Sequence, residues 1–186
     1  MRWFRHAATV AAGMCVVAAP LGAATQVIGS GNARLCFEAA LLERANRETL
    51  ETCNRAFAED ALALQDRVAT HVNRGILRSR MGDQAGALAD YDRAIALDPN
   101  EAEAYSNKGG LMLKRERWAD ALALFDRALA LATTRPEIAH FGRAVALEMS
   151  GRAADAYAEY KRAAELAPDW DQPRQELTRF RVRPNA

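Results

Sequence analysis

ALADYDRAIAL at residues 87–97, ALALFDRALAL at 121–131 and AYAEYKRAAEL at 156–166 are three versions of one segment. Each opens on an alanine (Ala87, Ala121, Ala156) and carries an aromatic one turn later (Tyr91, Phe125, Tyr160). A second alanine follows (Ala94, Ala128, Ala163), and a leucine closes the segment (Leu97, Leu131, Leu166). In the first copy Ala87, Leu88, Tyr91, Ala94, Ile95 and Leu97 lie largely on one stripe of a 3.6-residue period, which predicts an amphipathic helix. The alanines are small enough for a second helix to approach closely, and the aromatic fills the space beside them.

Upstream of each copy lies another helix-length stretch, with Gly75, Gly109 and Ala144 at its small position. Gly82-Asp83 and Gly151-Arg152 interrupt the pattern between the two stretches, as glycine after a helix does. Asp98-Pro99 and Ala167-Pro168 end the second helix, because proline disfavours helical geometry in the residue before it. The result is three helix–turn–helix units, 68–101, 102–135 and 137–170, with Pro136 as the one interruption of a 34-residue period. A single hairpin cannot bury its apolar face, whereas stacked hairpins can, so the chain reads as an all-α solenoid of helical hairpins.

The small residue at position eight of each unit, alanine at twenty, the aromatic at twenty-four, alanine at twenty-seven and proline at thirty-two resemble the tetratricopeptide repeat. The units depart from the family at some positions. Position seven, often leucine, is Arg74, Lys108 and Arg143. Position four is His71, Tyr105 and His140. The second unit has Glu116 where glycine is usual and Thr133 where proline is usual. The resemblance implies a concave groove lined by the first helices. Carried over by phase, that groove would be made of Val72, Ile76, Ser79 and Arg80 in the first unit. In the second it would be Glu103, Ser106, Gly110, Leu113 and Lys114, and in the third Ile138, Phe141, Val145, Glu148 and Met149. Asn73 and Asn107, both at position six, would reach a peptide backbone. Some members bind a chaperone's C-terminal carboxylate with lysine and asparagine at positions five and nine. Val72 and Ile76 stand there instead, so that clamp is absent. Arg80 and Lys114 would give one edge of the groove two cations suited to an acidic segment.

Arg2 and Arg5 precede an uncharged stretch, 7–19, followed by Pro20 and the small residues Gly22, Ala23 and Ala24. That is the order of a secretory signal peptide, with cleavage expected after Ala24 and a periplasmic mature chain. The alternative is an uncleaved N-terminal membrane anchor, which an Ala/Gly-rich stretch broken by Pro20 supports poorly. Residues 25–33 are expected as a flexible linker and 34–67 as a degenerate N-terminal helical hairpin. Cys36 and Cys53 are the cysteines left after processing, and an exported chain is expected to bridge them. Two buried free cysteines are the alternative. Residues 171–186 should form a C-terminal capping helix, with Asp171 and Pro173 in its first turn, and a tail.

Removing residues 1–24 takes away two arginines and no acid, so the net charge moves from +1 to −1. This balance gives no electrostatic case for nucleic acid. No phosphate loop, nucleophile motif or metal-ligand cluster is present, so no catalytic residue, metal or cofactor is expected. His71 and His140 read as half-buried filler. Asp90, Asp92, Asp120 and Asp126, near Arg93 and Arg127, read as solvated charge. The sequence therefore predicts a non-enzymatic repeat module of the periplasm that binds an unidentified protein or peptide in its concave groove, without stable membrane insertion once processed. A structural role in an envelope assembly, through self-association or bracing, is the alternative. Oligomeric state is left open.

Overall fold

The computed structural model describes residues 22–28 and 31–180, and the expected signal-peptide residues 1–21 and the tail from 181 lie outside them. Among the described residues the chain is nine helices with no strand. They are α1 (Asn32–Leu41), α2 (Arg47–Glu59), α3 (Leu64–Arg80), α4 (Gln84–Leu97), α5 (Ala102–Lys114), α6 (Trp118–Ala130), α7 (Pro136–Met149), α8 (Ala153–Leu166) and α9 (Asp171–Leu177). The pairs α3–α4, α5–α6 and α7–α8 are the three repeated hairpins. α1–α2 packs on α3 at one end, and α9 covers α8 at the other.

The aromatic of each unit explains the small residue of its first helix. A β-carbon on Gly75 would lie 2.5 Å from the Tyr91 ring. One on Gly109 would lie 3.0 Å from Phe125, and one on Gly142, in the next unit, 2.3 Å from the same ring. Phe125 is thus clamped between two units over bare backbone. Tyr91, Phe125, Tyr160 and the alanines that flank them are buried, the first two aromatics in one apolar cluster and Tyr160 in the next, with half-buried Leu122 packed against both.

The helix ends follow local rules. Gly82 and Gly151 take positive φ just after α3 and α7, and the next amide bonds back to Arg78 and Leu147, closing a Schellman-type turn. The second unit makes the same turn with Glu116 at φ 57°, and its Arg117 amide bonds back to Met112. An L-residue is strained there and Glu116 is exposed. Glu116→Gly is therefore expected to stabilise the chain by about 1 kcal/mol, read as a rise in melting temperature. Thr133, where proline is usual, is buried for a different reason. Its hydroxyl donates to the Glu103 carboxylate at 2.9 Å, and Thr134 adds its amide at 2.7 Å and its hydroxyl at 2.8 Å. Glu103, expected to face the groove, instead fastens the loop that leaves α6.

The N-terminal hairpin is shorter than the sequence suggests. α2 begins at Arg47 because Asn46 and Thr49 form a reciprocal capping box, and it ends at Glu59. Cys36 and Cys53 are buried and joined, with an S–S distance of 2.01 Å and Cα atoms 4.9 Å apart. The bridge sits in the same apolar cluster as Val72 and Ile76, and so ties the hairpin to the first repeat.

Asp90 corrects the reading of a solvated charged face. It is 2 % exposed. Its carboxylate accepts from His71 Nδ1 at 3.0 Å and from Arg74 and Arg78 at 2.7 Å each. Burial pushes its pKa up, but the hydrogen bonds from His71 and Arg74 and the two guanidinium charges outweigh that and hold it below the usual carboxylate range. The third unit repeats the arrangement, with His140 2.7 Å and Arg143 2.8 Å from Glu159. Asp92 and Asp126 pair with the position-seven cations of the following unit rather than with Arg93 and Arg127. Lys108 lies 2.6 Å from Asp92, and Arg143 lies 2.7 Å from Asp126. The cations that replace the family's leucine are thus latches within and between units.

Candidate functional site

The groove is occupied by the chain's own N-terminal segment. Residues 22–28 run extended across the first helices of the first two units. Asn73, fully buried in α3, accepts the Thr25 amide at 3.0 Å and donates its own amide to the Thr25 carbonyl at 2.8 Å. Asn107, one unit on in α5, donates to the Ala23 carbonyl at 3.1 Å and to its own helix at Glu103. Asp66 accepts the Ile28 amide at 2.9 Å. These contacts are to backbone, so the two asparagines hold alternate residues of an extended chain.

Side chains alternate in step with that backbone. Ala23 and Val27 are each 3 % exposed, while Gln26 is exposed and Ile28 is 80 % exposed. Period-two alternation is what an extended strand shows against a surface. Thr25 faces inward as well, and its hydroxyl donates to Glu101 at 3.1 Å. Val27 enters an apolar cluster with Ala33, Ala56 and Ala69, flanked by Phe37 and Leu62. At Gly22 a β-carbon would lie 3.1 Å from Ile76, so a small residue suits that point. Burial pushes the Glu101 carboxyl up in pKa, the Thr25 hydroxyl pulls it down, and the nearby Glu103 charge pushes it up again, leaving it raised. Beside the segment lies a cavity of about 530 Å³ between α1 and the start of α5, lined in part by Thr25, Phe37, Leu41, Glu101 and Thr134.

The predicted site residues divide into groups. Asn73, Asn107 and Ile76 face the segment. Ser106 is buried in α5. Val72 is buried against the disulfide-bearing hairpin, and Phe141 is buried with its ring 5.3 Å from Tyr160 and 4.9 Å from Trp170, so both belong to the core. Val145 is half-buried in the same cluster as Phe141. Arg80 is not a free cation: it pairs with Glu43, at the end of α1, at 2.7 Å. Lys114 Nζ lies 3.3 Å from Ser79 Oγ, and burial and the Arg80 charge lower its pKa. Arg80→Glu would set two carboxylates face to face and is expected to cost about 1 kcal/mol of stability. Lys114→Glu should stay within about 0.5 kcal/mol of wild type, and parallel thermal melts compare the two.

Sequence reasoning missed Asp66, Glu101 and the segment itself. Residues 25–28, expected as flexible linker, are instead docked in the groove. The Ala24–Thr25 bond, where processing is expected, lies inside the docked stretch. A signal was present in the alternation of Ala23, Thr25 and Val27, but it sits where small residues also suit signal peptidase.

A profile of the tetratricopeptide repeat matches residues 72–136 and 113–170, together more than half of the chain. The chain belongs to the tetratricopeptide repeat family, and it is a protein-binding repeat module. Comparison with curated proteins gives no sequence match. Among solved structures it is similar to MamA from Desulfovibrio magneticus RS-1, with a TM-score of 0.62 and 21 % identity over 81 % of this chain and 84 % of that one. It is also similar to a tetratricopeptide repeat protein from Parabacteroides merdae, with a TM-score of 0.60 and 19 % identity over 80 % of this chain and 57 % of that one. These likenesses establish the fold.

Proposed function

We propose that this chain is a non-enzymatic protein- or peptide-binding module of the bacterial periplasm whose concave groove takes a partner segment in extended form. The observation that supports this most is the Asn73 amide, which satisfies both the N–H and the carbonyl of one extended residue. A buried amide left without a partner is costly, so the groove favours any chain that presents an alternating backbone to it. The charged groups that suggest chemistry are committed to structure, since His71 and His140 hold Asp90 and Glu159.

Export is supported by the arginine-flanked apolar N-terminal stretch and agrees with the Cys36–Cys53 bridge, which persists in an oxidising compartment. Among the described residues no helix is long and apolar enough to cross a membrane. Cleavage after Ala24 would have to precede docking of the segment. It would leave Thr25 on Asn73 and vacate the carbonyl position on Asn107.

The test is a benzophenone side chain placed at exposed Lys114 on the groove edge or at exposed Arg93 on α4. Periplasmic crosslinking from Lys114 and not from Arg93 supports the groove. Equal capture from both moves the site elsewhere. A second reading, self-association in an envelope assembly, has its own observation: Leu35, Leu41 and Leu42 on the N-terminal hairpin are each more than half exposed. Sedimentation separates the two, since a stable dimer abolished by Leu41→Glu with Leu42→Glu favours assembly and a monomer favours the groove.

A further inference from the structure

We infer that the groove reads a short extended motif, two small residues, threonine or serine, any residue, then valine, and that the chain's own 22–28 segment is a built-in competitor for partners carrying it. The inference rests on the groove-binding reading above and adds what the partner looks like. Three inward positions set the motif. Ala23 is 3 % exposed with its carbonyl on Asn107, so a larger side chain has no room there. Thr25 gives its hydroxyl to Glu101 while Asn73 holds its backbone on both sides, so a hydroxyl donor is specified. Val27 is buried among Ala33, Ala56 and Ala69, so a short apolar side chain is specified. Ala24 is half-buried against the cluster that holds Val72 and Ile76 and stays small, whereas Gln26 is exposed and carries no requirement.

Competition follows from the tether. A segment on the same chain meets the groove at a high effective concentration, so a partner of equal intrinsic fit binds only in the fraction of molecules whose segment is out. The affinity a partner shows is lowered by that fraction. A chain processed after Ala24 would retain the Thr25 and Val27 positions and compete at two of the three.

The probe is a fluorescein-labelled synthetic peptide with the sequence of residues 22–28, titrated into the full chain and read by anisotropy. One full-chain variant carries Ala23→Trp with Thr25→Pro, which makes its own segment too large for the Ala23 site and removes the amide that Asn73 accepts. The peptide should bind this variant about tenfold or more tighter than wild type, the factor set by the closed fraction. Adding Asn73→Ala to it should abolish binding. In the peptide, the change Val27→Asp should weaken binding by about tenfold or more, whereas Gln26→Asp should leave it nearly unchanged. Circular dichroism confirms that each variant keeps wild-type helicity. Equal peptide affinity for wild type and the segment-disabled variant, both folded, overturns the built-in competitor. Equal loss from the Val27 and Gln26 changes overturns the motif. Crosslinking from Lys114 would stand after either result, so the wider groove reading fails or survives separately.

Discussion

Asp90→Ala is expected to destabilise the protein by about 3–5 kcal/mol, the cost of removing one side of a buried ion-paired group. The substitution leaves Arg74 and Arg78 facing each other with their shared anion gone, and leaves the His71 ring nitrogen that pointed at it unpaired. Arg74 keeps Asn54 at 3.0 Å and the Phe57 ring at 4.4 Å, which holds the guanidinium in place rather than letting it reach water. Asp90 has a lowered pKa when folded. Its stabilising contribution is therefore complete above the ordinary carboxylate range and is lost as pH falls through the lowered folded value. Wild type should lose stability steeply on acidification below about pH 4, and Asp90→Asn should show a lower but flatter acid limb. Urea melts at several pH values measure both. A melting midpoint unchanged by Asp90→Ala would mean that the cluster is not assembled as described.

Gly142→Leu should cost about 3 kcal/mol or more, near the upper end of what overpacking a core does. The β-carbon alone would sit 2.3–2.7 Å from three atoms of the Phe125 ring. That ring cannot retreat, because its other side rests on Gly109 and it is 1 % exposed. Gly142→Ala separates the clash from bulk: alanine gains helix propensity of about 1 kcal/mol but meets the same ring, so a net loss is expected. Because Phe125 links the second unit to the third, the damage should spread along the array as one cooperative loss. Calorimetry of the two variants distinguishes a shifted single transition from separate unfolding of the last unit.

The architecture was legible because repetition fixes phase. Ala87, Ala121 and Ala156, the three aromatics and the glycines of the first helices recur with one period, and the structure puts them where that phase requires. The ion-pair latches were partly legible. His71, Arg74 and Asp90 match His140, Arg143 and Glu159 position for position, but a charge on an amphipathic helix usually faces water, so Asp90 was read as solvated. What overrides that rule is three donors converging on one carboxylate, and donor geometry is not a sequence pattern. Phase put Asn73 and Asn107 where a peptide backbone could be reached, and in the structure both bond the chain's own backbone, at Thr25 and Ala23. That segment was not legible, because an extended strand held by side-chain amides leaves only a faint alternation, at Ala23, Thr25 and Val27. Arg80 and Phe141 show the converse limit. Phase put both in the groove, but Glu43, from the N-terminal hairpin, takes up the charge, and Trp170, the last residue of the third unit, takes up the ring.

Asn73 grips the extended backbone of the segment on both sides of Thr25. The most direct measurement is amide hydrogen exchange at Thr25 in the folded full chain and in Asn73→Ala. The Thr25 amide should exchange about tenfold or more slowly in wild type, since exchange must wait for the segment to leave the groove, and should be released in Asn73→Ala with helix protection intact. A Thr25 amide that exchanges equally fast in both proteins would overturn the grip of Asn73 on that backbone.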